Sequence, residues 1–373
     1  MSLYSRYFIQ SLIFGLSIFF ISGCSEEITD PNEPFVGGKE NAASDGTYTS
    51  KIYSENGIAS LEEITLGGEK QWILIRGYDV SNPVLIFLHG GPGSACIFYT
   101  KYSLGGLEED FTTVGWDQRG SGKSYHESID PNTLTLDQLY GDTYELILKM
   151  RERFGIDKVY LMGISWGSIL GIKIAKQYPE VLHSYIGVSQ VVNTARGIVI
   201  TYNKVLDEAN ERGNQAAITE LSGIHLDSIW EHSEIISKWV EEFGFGDFHN
   251  DLIAQQIRVD LASTLTEYTP EDIANLDKGK LLYNQSPLGN DLSWLRNIDM
   301  PSQIPSLEIP VYFLAGSFDY KTPSQLVDEY FQSLVSPAGK KLIWFENSAH
   351  IPILEEREIF QDTMINTVLE ESL

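Results

Sequence analysis

The chain has 373 residues, 42% of them hydrophobic, and carries 26 basic against 52 acidic residues for a formal net charge of −26 at pH 7. That apolar content supports one substantial core, and the length suits a large α/β domain with an insertion better than two small domains. So acidic a surface repels nucleic-acid phosphates and excludes binding through them, whereas it would gather cationic substrates.

Arg6 precedes an uncharged stretch from Tyr7 to Ser25 that includes Ile21-Ser22-Gly23-Cys24. Its strongly apolar part, residues 12–21, is short for a membrane span, and small residues just before a cysteine suit cleavage with lipid attachment. Residues 1–23 are expected to be a lipoprotein signal peptide, with Cys24 as the lipidated residue. The protein is then exported and anchored to a membrane of the bacterial cell envelope, facing the periplasm or the outside; an uncleaved anchor helix is the second reading. Residues 24–47 hold six acidic residues against one lysine, with Pro31 and Pro34 among them. Such a composition buries too little apolar surface to fold and predicts a disordered tether.

Segments 48–54, 58–66 and 71–76 alternate or cluster as strands, and residues 83–88 (PVLIFL) form a near-continuous apolar run. This run stops at His89-Gly90-Gly91-Pro92-Gly93, a loop whose bare backbone can approach a substrate. Gly91 is the expected amide donor to an oxyanion, and His89 is expected to brace the loop. Cys96 follows; with Cys24 lipidated it has no disulfide partner and reads as a buried thiol. After the strand 111–116, Asp117-Gln118-Arg119-Gly120-Ser121-Gly122-Lys123-Ser124 reads as a polar turn in which Asp117 and Arg119 pair to hold its shape. The spacing then predicts a helix over 135–154, giving a βαβ pattern with a mostly parallel sheet.

Residues 158–177 run an apolar strand into Gly163-Ile164-Ser165-Trp166-Gly167 and out into a helix. A sharp strand-to-helix turn strains its central residue, and flanking glycines remove the side chains that would clash there. Ser165 is left standing clear as the candidate nucleophile. Trp166 presents its amide at the helix start, where unpaired N–H groups favour a developing oxyanion. Gln190, at the end of the strand 184–189, is expected at the pocket rim.

A serine hydroxyl needs a histidine to take its proton and a carboxylate to fix that histidine's tautomer. Strand 311–316 ends in Ser317-Phe318-Asp319, which puts a carboxylate at the carboxyl edge of the sheet. Of the seven histidines, His350 follows the late strand 340–346 in a loop. Asp319 is the expected orienting residue and His350 the expected base. The order Ser, Asp, His is that of the α/β-hydrolase fold. His126, His183, His225, His232 and His249 lack such a strand context and read as ordinary; no metal site and no cofactor are expected.

Far more chain separates Ser165 from Asp319 than one strand and one helix require. Residues 191–300 carry Leu226, Ile229, Trp230, Ile236, Trp239, Val240 and Phe243 at helical spacing, and Thr269-Pro270-Glu271-Asp272 reads as a helix start. A mainly helical cap is predicted over 191–300, inserted into a hydrolase core of residues 48–190 and 301–373. Such a cap excludes water and chooses the substrate.

HGGPG at 89–93, DQRGSGKS at 117–124 and GISWGS at 163–168 together resemble the proline iminopeptidase branch of the α/β-hydrolase superfamily. The resemblance covers roughly residues 50–190 and 305–370. It implies a triad of Ser165, Asp319 and His350 with Gly91 and Trp166 as amide donors. In iminopeptidases cap carboxylates hold the substrate's free amino group. Glu231, Glu234, Glu241 and Glu242 are conceivable for that role, and none is assigned. The leading expectation is a serine hydrolase acting through an acyl-enzyme, an aminopeptidase on short peptides. A carboxylic-ester hydrolase with the same triad is the near alternative, and a non-catalytic ligand-binding surface lipoprotein on a hydrolase scaffold is the alternative of another class.

Overall fold

Strands β1 (Ile58–Leu66), β2 (Glu69–Gly77), β3 (Val84–Leu88), β4 (Thr112–Asp117), β5 (Val159–Ile164), β6 (Leu182–Val188), β7 (Val311–Gly316) and β8 (Lys340–Phe345) form one sheet in the order β1-β2-β4-β3-β5-β6-β7-β8. They belong to a computed structural model that describes residues 48–264 and 266–372. The expected signal peptide, Cys24 and the tether lie outside the described residues.

β1 pairs antiparallel with β2 and β2 with β4, while β4, β3, β5, β6, β7 and β8 run parallel to their neighbours. Parallel strands need crossover helices, and these cover both faces of the sheet. That explains why β3 and β5 read as unbroken apolar runs. Register then sets the site: Leu88 pairs with Gly163, Gly163 with Gly187, and Gly316 with Phe345. The carboxyl ends of β3, β5, β7 and β8 thus finish at one edge. This is an α/β-hydrolase fold with a mostly parallel sheet flanked by helices.

Most elements fall where the sequence puts them. Helix Leu136–Phe154 starts at Thr135, whose hydroxyl accepts from Gln138 N–H at 3.2 Å. Residues 48–54 do not form the expected strand. They are held from the side instead, by Arg76 Nη1 donating to Thr49 Oγ1 at 2.8 Å and to Ser50 O at 2.6 Å. The same guanidinium pairs with Glu108. A buried cation here replaces a strand ladder.

Between β6 and β7 the chain forms helices, among them Thr194–Glu211, Gln215–Leu221, Ser233–Glu242, Asp251–Thr264 and Pro270–Gln285. The last begins with the capping box the sequence announces: Thr269 and Asp272 satisfy each other's backbone N–H. Ile229, Ile236, Trp239, Val240 and Phe243 are buried together with Ile198 and Val205 in a cluster of their own. Leu226 is exposed. The later residues Tyr283, Leu295 and Met300 instead join the cluster that includes β3 and β5. Lys123 to Asp272 at 2.8 Å and Tyr283 Oη to Arg119 O at 2.8 Å tie this region to the polar turn after β4. Among the described residues no helix is long and apolar enough to cross a membrane.

Candidate active site

Ser165 sits between β5 and the helix Trp166–Gln177 with φ 53° and ψ −118°, a conformation that residues other than glycine rarely adopt. The glycines two residues away on each side explain how it is tolerated. A methyl group on Gly163 would run into Gly167 O, and one on Gly167 would run into Leu88 O. Strand and helix therefore meet more closely than any larger residue permits. Ser165 N–H donates to Val188 O at 3.0 Å, and Ser168 Oγ donates to Ser165 O at 2.5 Å, which fixes the turn.

Asp319 and His350 reach the same edge from β7 and β8. The Asp319 carboxylate is fully buried and accepts from Lys321 N–H at 2.9 Å, Thr322 N–H at 3.0 Å and Thr322 Oγ1 at 2.8 Å. His350 Nδ1 lies 2.9 Å from Asp319 Oδ2. An ionised carboxylate only accepts, so Nδ1 carries the hydrogen and Nε2 is left as the acceptor. The imidazole is also held by its main chain: His350 N–H donates to Gly246 O at 3.1 Å, and His350 O accepts from Ser189 Oγ at 2.8 Å. Ser165 and His350 line one open cavity, with Gly90, Gly91, Tyr99 and Asp247 among its other walls.

The two expected amide donors are coupled through a residue the sequence left unremarked. Gln118 N–H donates to His89 Nε2 at 3.1 Å, Gln118 Nε2 donates to His89 O at 3.2 Å, and Gln118 Oε1 accepts from Trp166 Nε1 at 3.1 Å. Gln118 thus pins the glycine loop to the turn at Ser165. His89 braces that loop as expected. Burial lowers its pKa to about 4, so it stays neutral and its Nδ1 donates to Gly90 O. Gly91 has φ 127° and lines the cavity, and Trp166 supplies the first amide of its helix, which no intrahelical carbonyl can reach.

Two expectations change. Asp117 and Arg119 do not pair: Arg119 donates to Asp142 at 2.8 Å and to Leu66 O and Gly67 O at 3.0 Å. Asp117 accepts from Cys96 N–H, Ile97 N–H, Lys123 N–H and the Tyr268 hydroxyl. The two side chains serve different neighbours. Gln190 is buried rather than at the rim of the Ser165 cavity, and its Oε1 accepts from Tyr185 Oη at 2.6 Å. Among the carboxylates between β6 and β7, Glu231, Glu234, Glu241 and Glu242 do not line the cavity, whereas Asp247 does. Asp247 lies in the loop after helix Ser233–Glu242, outside the helical spacing that singles out the glutamates, and its Gly244-Phe245-Gly246 setting is the available signal.

Asp247 is buried, and desolvation raises its pKa; Lys321 Nζ opposes this from 2.5 Å. Cys96 is a buried free thiol whose pKa burial raises, so it is unreactive. Among the described residues no group of histidine, cysteine and acidic side chains is placed to hold a metal ion.

Comparison with known proteins agrees with this fold. Residues 83–357 match the family model described as alpha/beta hydrolase fold. The probable aminopeptidase YbaC of Bacillus subtilis (strain 168) is 32% identical over 318 residues, covering 84% of this chain and 97% of its own. A proline iminopeptidase of Heyndrickxia coagulans is 29% identical over 74% of this chain and 86% of its own. Among solved structures, a proline iminopeptidase-related protein from Thermus thermophilus superposes with a TM-score of 0.59 at 19% identity, over 85% of this chain and all of its own. That last likeness is one of fold.

Proposed function

Because the chain belongs to the α/β-hydrolase family, in its proline iminopeptidase-like branch, and is an enzyme of the serine hydrolase class, we propose that it is an aminopeptidase that cleaves short peptides through an acyl-enzyme on Ser165. Ser165 Oγ attacks the carbonyl after the first residue while His350 Nε2 takes its proton. Asp319 keeps the imidazole in the tautomer that can do so and stabilises the imidazolium. The amides of Gly91 and Trp166 receive the developing oxyanion. His350 then protonates the leaving amine, and water, activated by the same imidazole, releases the acyl group.

The cavity lined jointly by Ser165, His350 and Asp247 carries this reading. A carboxylate in a largely apolar site suits a free ammonium at the amino end of a substrate. The relatives' names point the same way. Turnover of prolyl- and alanyl-arylamides, compared with amino-blocked forms and short acyl esters, tests it. Loss of turnover on blocking supports the aminopeptidase, and indifference to blocking, with faster ester cleavage, supports the esterase.

For the amino-terminal region we propose a signal peptide over 1–23, lipid attachment at Cys24 and anchorage to a cell-envelope membrane. Cys24→Ser should release the protein into the soluble fraction; unchanged membrane fractionation with no lipid adduct contradicts this.

A further inference from the structure

Lys321 follows Asp319 by two residues and is 5% exposed. Its backbone N–H is one of the donors to Asp319, while its Nζ lies 2.5 Å from Asp247 Oδ1 and 2.8 Å from Glu241 Oε1. One residue thus holds the histidine-orienting carboxylate with its main chain and the cap carboxylate of the cavity with its side chain. Glu241 in turn accepts from Asp247 N–H at 3.0 Å, so the three charged groups form a closed cluster. Asp247 and Lys321 are buried, and Glu241 opens to solvent.

The surroundings of His350 are strongly acidic. Asp319 bonds to it directly, and Asp247 and Glu241 act on it electrostatically from the cap. Glu356 accepts from Asn347 N–H and Ser348 Oγ in the same loop, and Glu355, which accepts from Ala349 N–H, adds its charge only above about pH 7. Uncompensated negative charge stabilises an imidazolium, and a histidine protonated at working pH is no base. Within the cluster, Lys321 supplies the opposing charge. Burial alone would depress an ammonium; Asp247 and Glu241 hold this one above its ordinary value, so it stays charged.

We propose that Lys321 is a positioning residue for catalysis, which fixes Asp247 so that Oδ2 faces the substrate's amino group and offsets the negative charge beside His350. Two carboxylates and one ammonium leave a single net negative charge, which matches a substrate bearing one ammonium. The inference rests on the hydrolase reading above, and its position on the catalytic turn makes it more than a brace between cap and core. A brace would affect stability alone.

The test is the pH dependence of labelling by a fluorophosphonate, a probe that needs no amino group, in wild type, Lys321→Met, Lys321→Arg and Glu241→Gln, with KM for alanyl-arylamide measured alongside. In Lys321→Met the acid limb of the labelling rate moves up by about one pH unit, as for one charge gained near the imidazole, and KM rises roughly tenfold. Arginine restores most of both. Glu241→Gln, at an exposed position, moves the limb the opposite way. A limb unmoved in both Lys321→Met and Glu241→Gln, with wild-type labelling intact, overturns the role of the lysine alone. If Lys321→Met fails to fold, the direction of the Glu241→Gln shift decides. Wild type that folds but takes no label removes the hydrolase reading and this inference with it.

Discussion

Asp319 Oδ2 stands 2.9 Å from His350 Nδ1 while three other donors, from Lys321 and Thr322, hold the same carboxylate in place. The aspartate is therefore positioned by its own turn, and the histidine is positioned by the aspartate. Asp319→Asn keeps the shape, yet its amide can donate to the ring and leave the wrong nitrogen protonated. We expect a loss in kcat of about 10³–10⁴-fold with cooperative unfolding retained. Steady-state kinetics and circular dichroism check it; activity within tenfold of wild type would remove Asp319 from its role.

Gln118 gives a second prediction. Gln118→Leu strands the indole N–H of Trp166 and frees the glycine loop from the turn at Ser165. An unsatisfied buried donor costs about 1–3 kcal/mol, and a misplaced amide donor lowers kcat more than it alters KM. A fall in melting temperature together with a kcat loss of roughly tenfold or more is expected. Unchanged kcat would show that the link does not position the amides.

Gly167→Ala tests the close approach of helix and strand. The added methyl meets the carbonyl oxygen of Leu88, which is backbone and cannot swing away. The change should cost about 4 kcal/mol or more, or prevent folding. A variant melting at the wild-type temperature would contradict the packing described at this turn.

These cases show what could be read from the sequence. Gly163, Ser165 and Gly167 were legible because strain and close contact demand particular residue types at fixed spacing. Asp319 and His350 were legible because a strand precedes each. Asp247 was not, since a loop residue carries no period and its neighbour Lys321 lies far along the chain. The missing strand at 48–54 was hidden for a related reason. Alternation marks a segment able to pair, but Arg76 decides here that it is held by side-chain bonds instead.

Glu355 makes stability depend on pH. Burial raises its carboxyl from 4.5 to about 7, despite N–H donors at His249, Asn250 and Ala349. The folded state thus keeps the proton to higher pH than the unfolded chain. Between about pH 4.5 and 7 the folded state binds more protons, so this group's contribution falls as pH rises, by about 3 kcal/mol in all. His89 acts in the opposite sense: held neutral down to about pH 4, it makes the folded state lose stability as pH drops below 6.5. Melting curves of Glu355→Gln from about pH 4.5 to 8 should lack the decline that Glu355 adds to wild type. Parallel curves for the two proteins would contradict the elevated pKa.

The most direct test of convergence at the sheet edge is covalent labelling by a fluorophosphonate, with the adduct located by peptide mass spectrometry. One adduct, on Ser165, is expected in wild type, none in folded Ser165→Ala, and far slower labelling in folded His350→Ala. An adduct elsewhere, or no adduct on folded wild type, would contradict the assignment of Ser165 as a nucleophile served by His350 and Asp319.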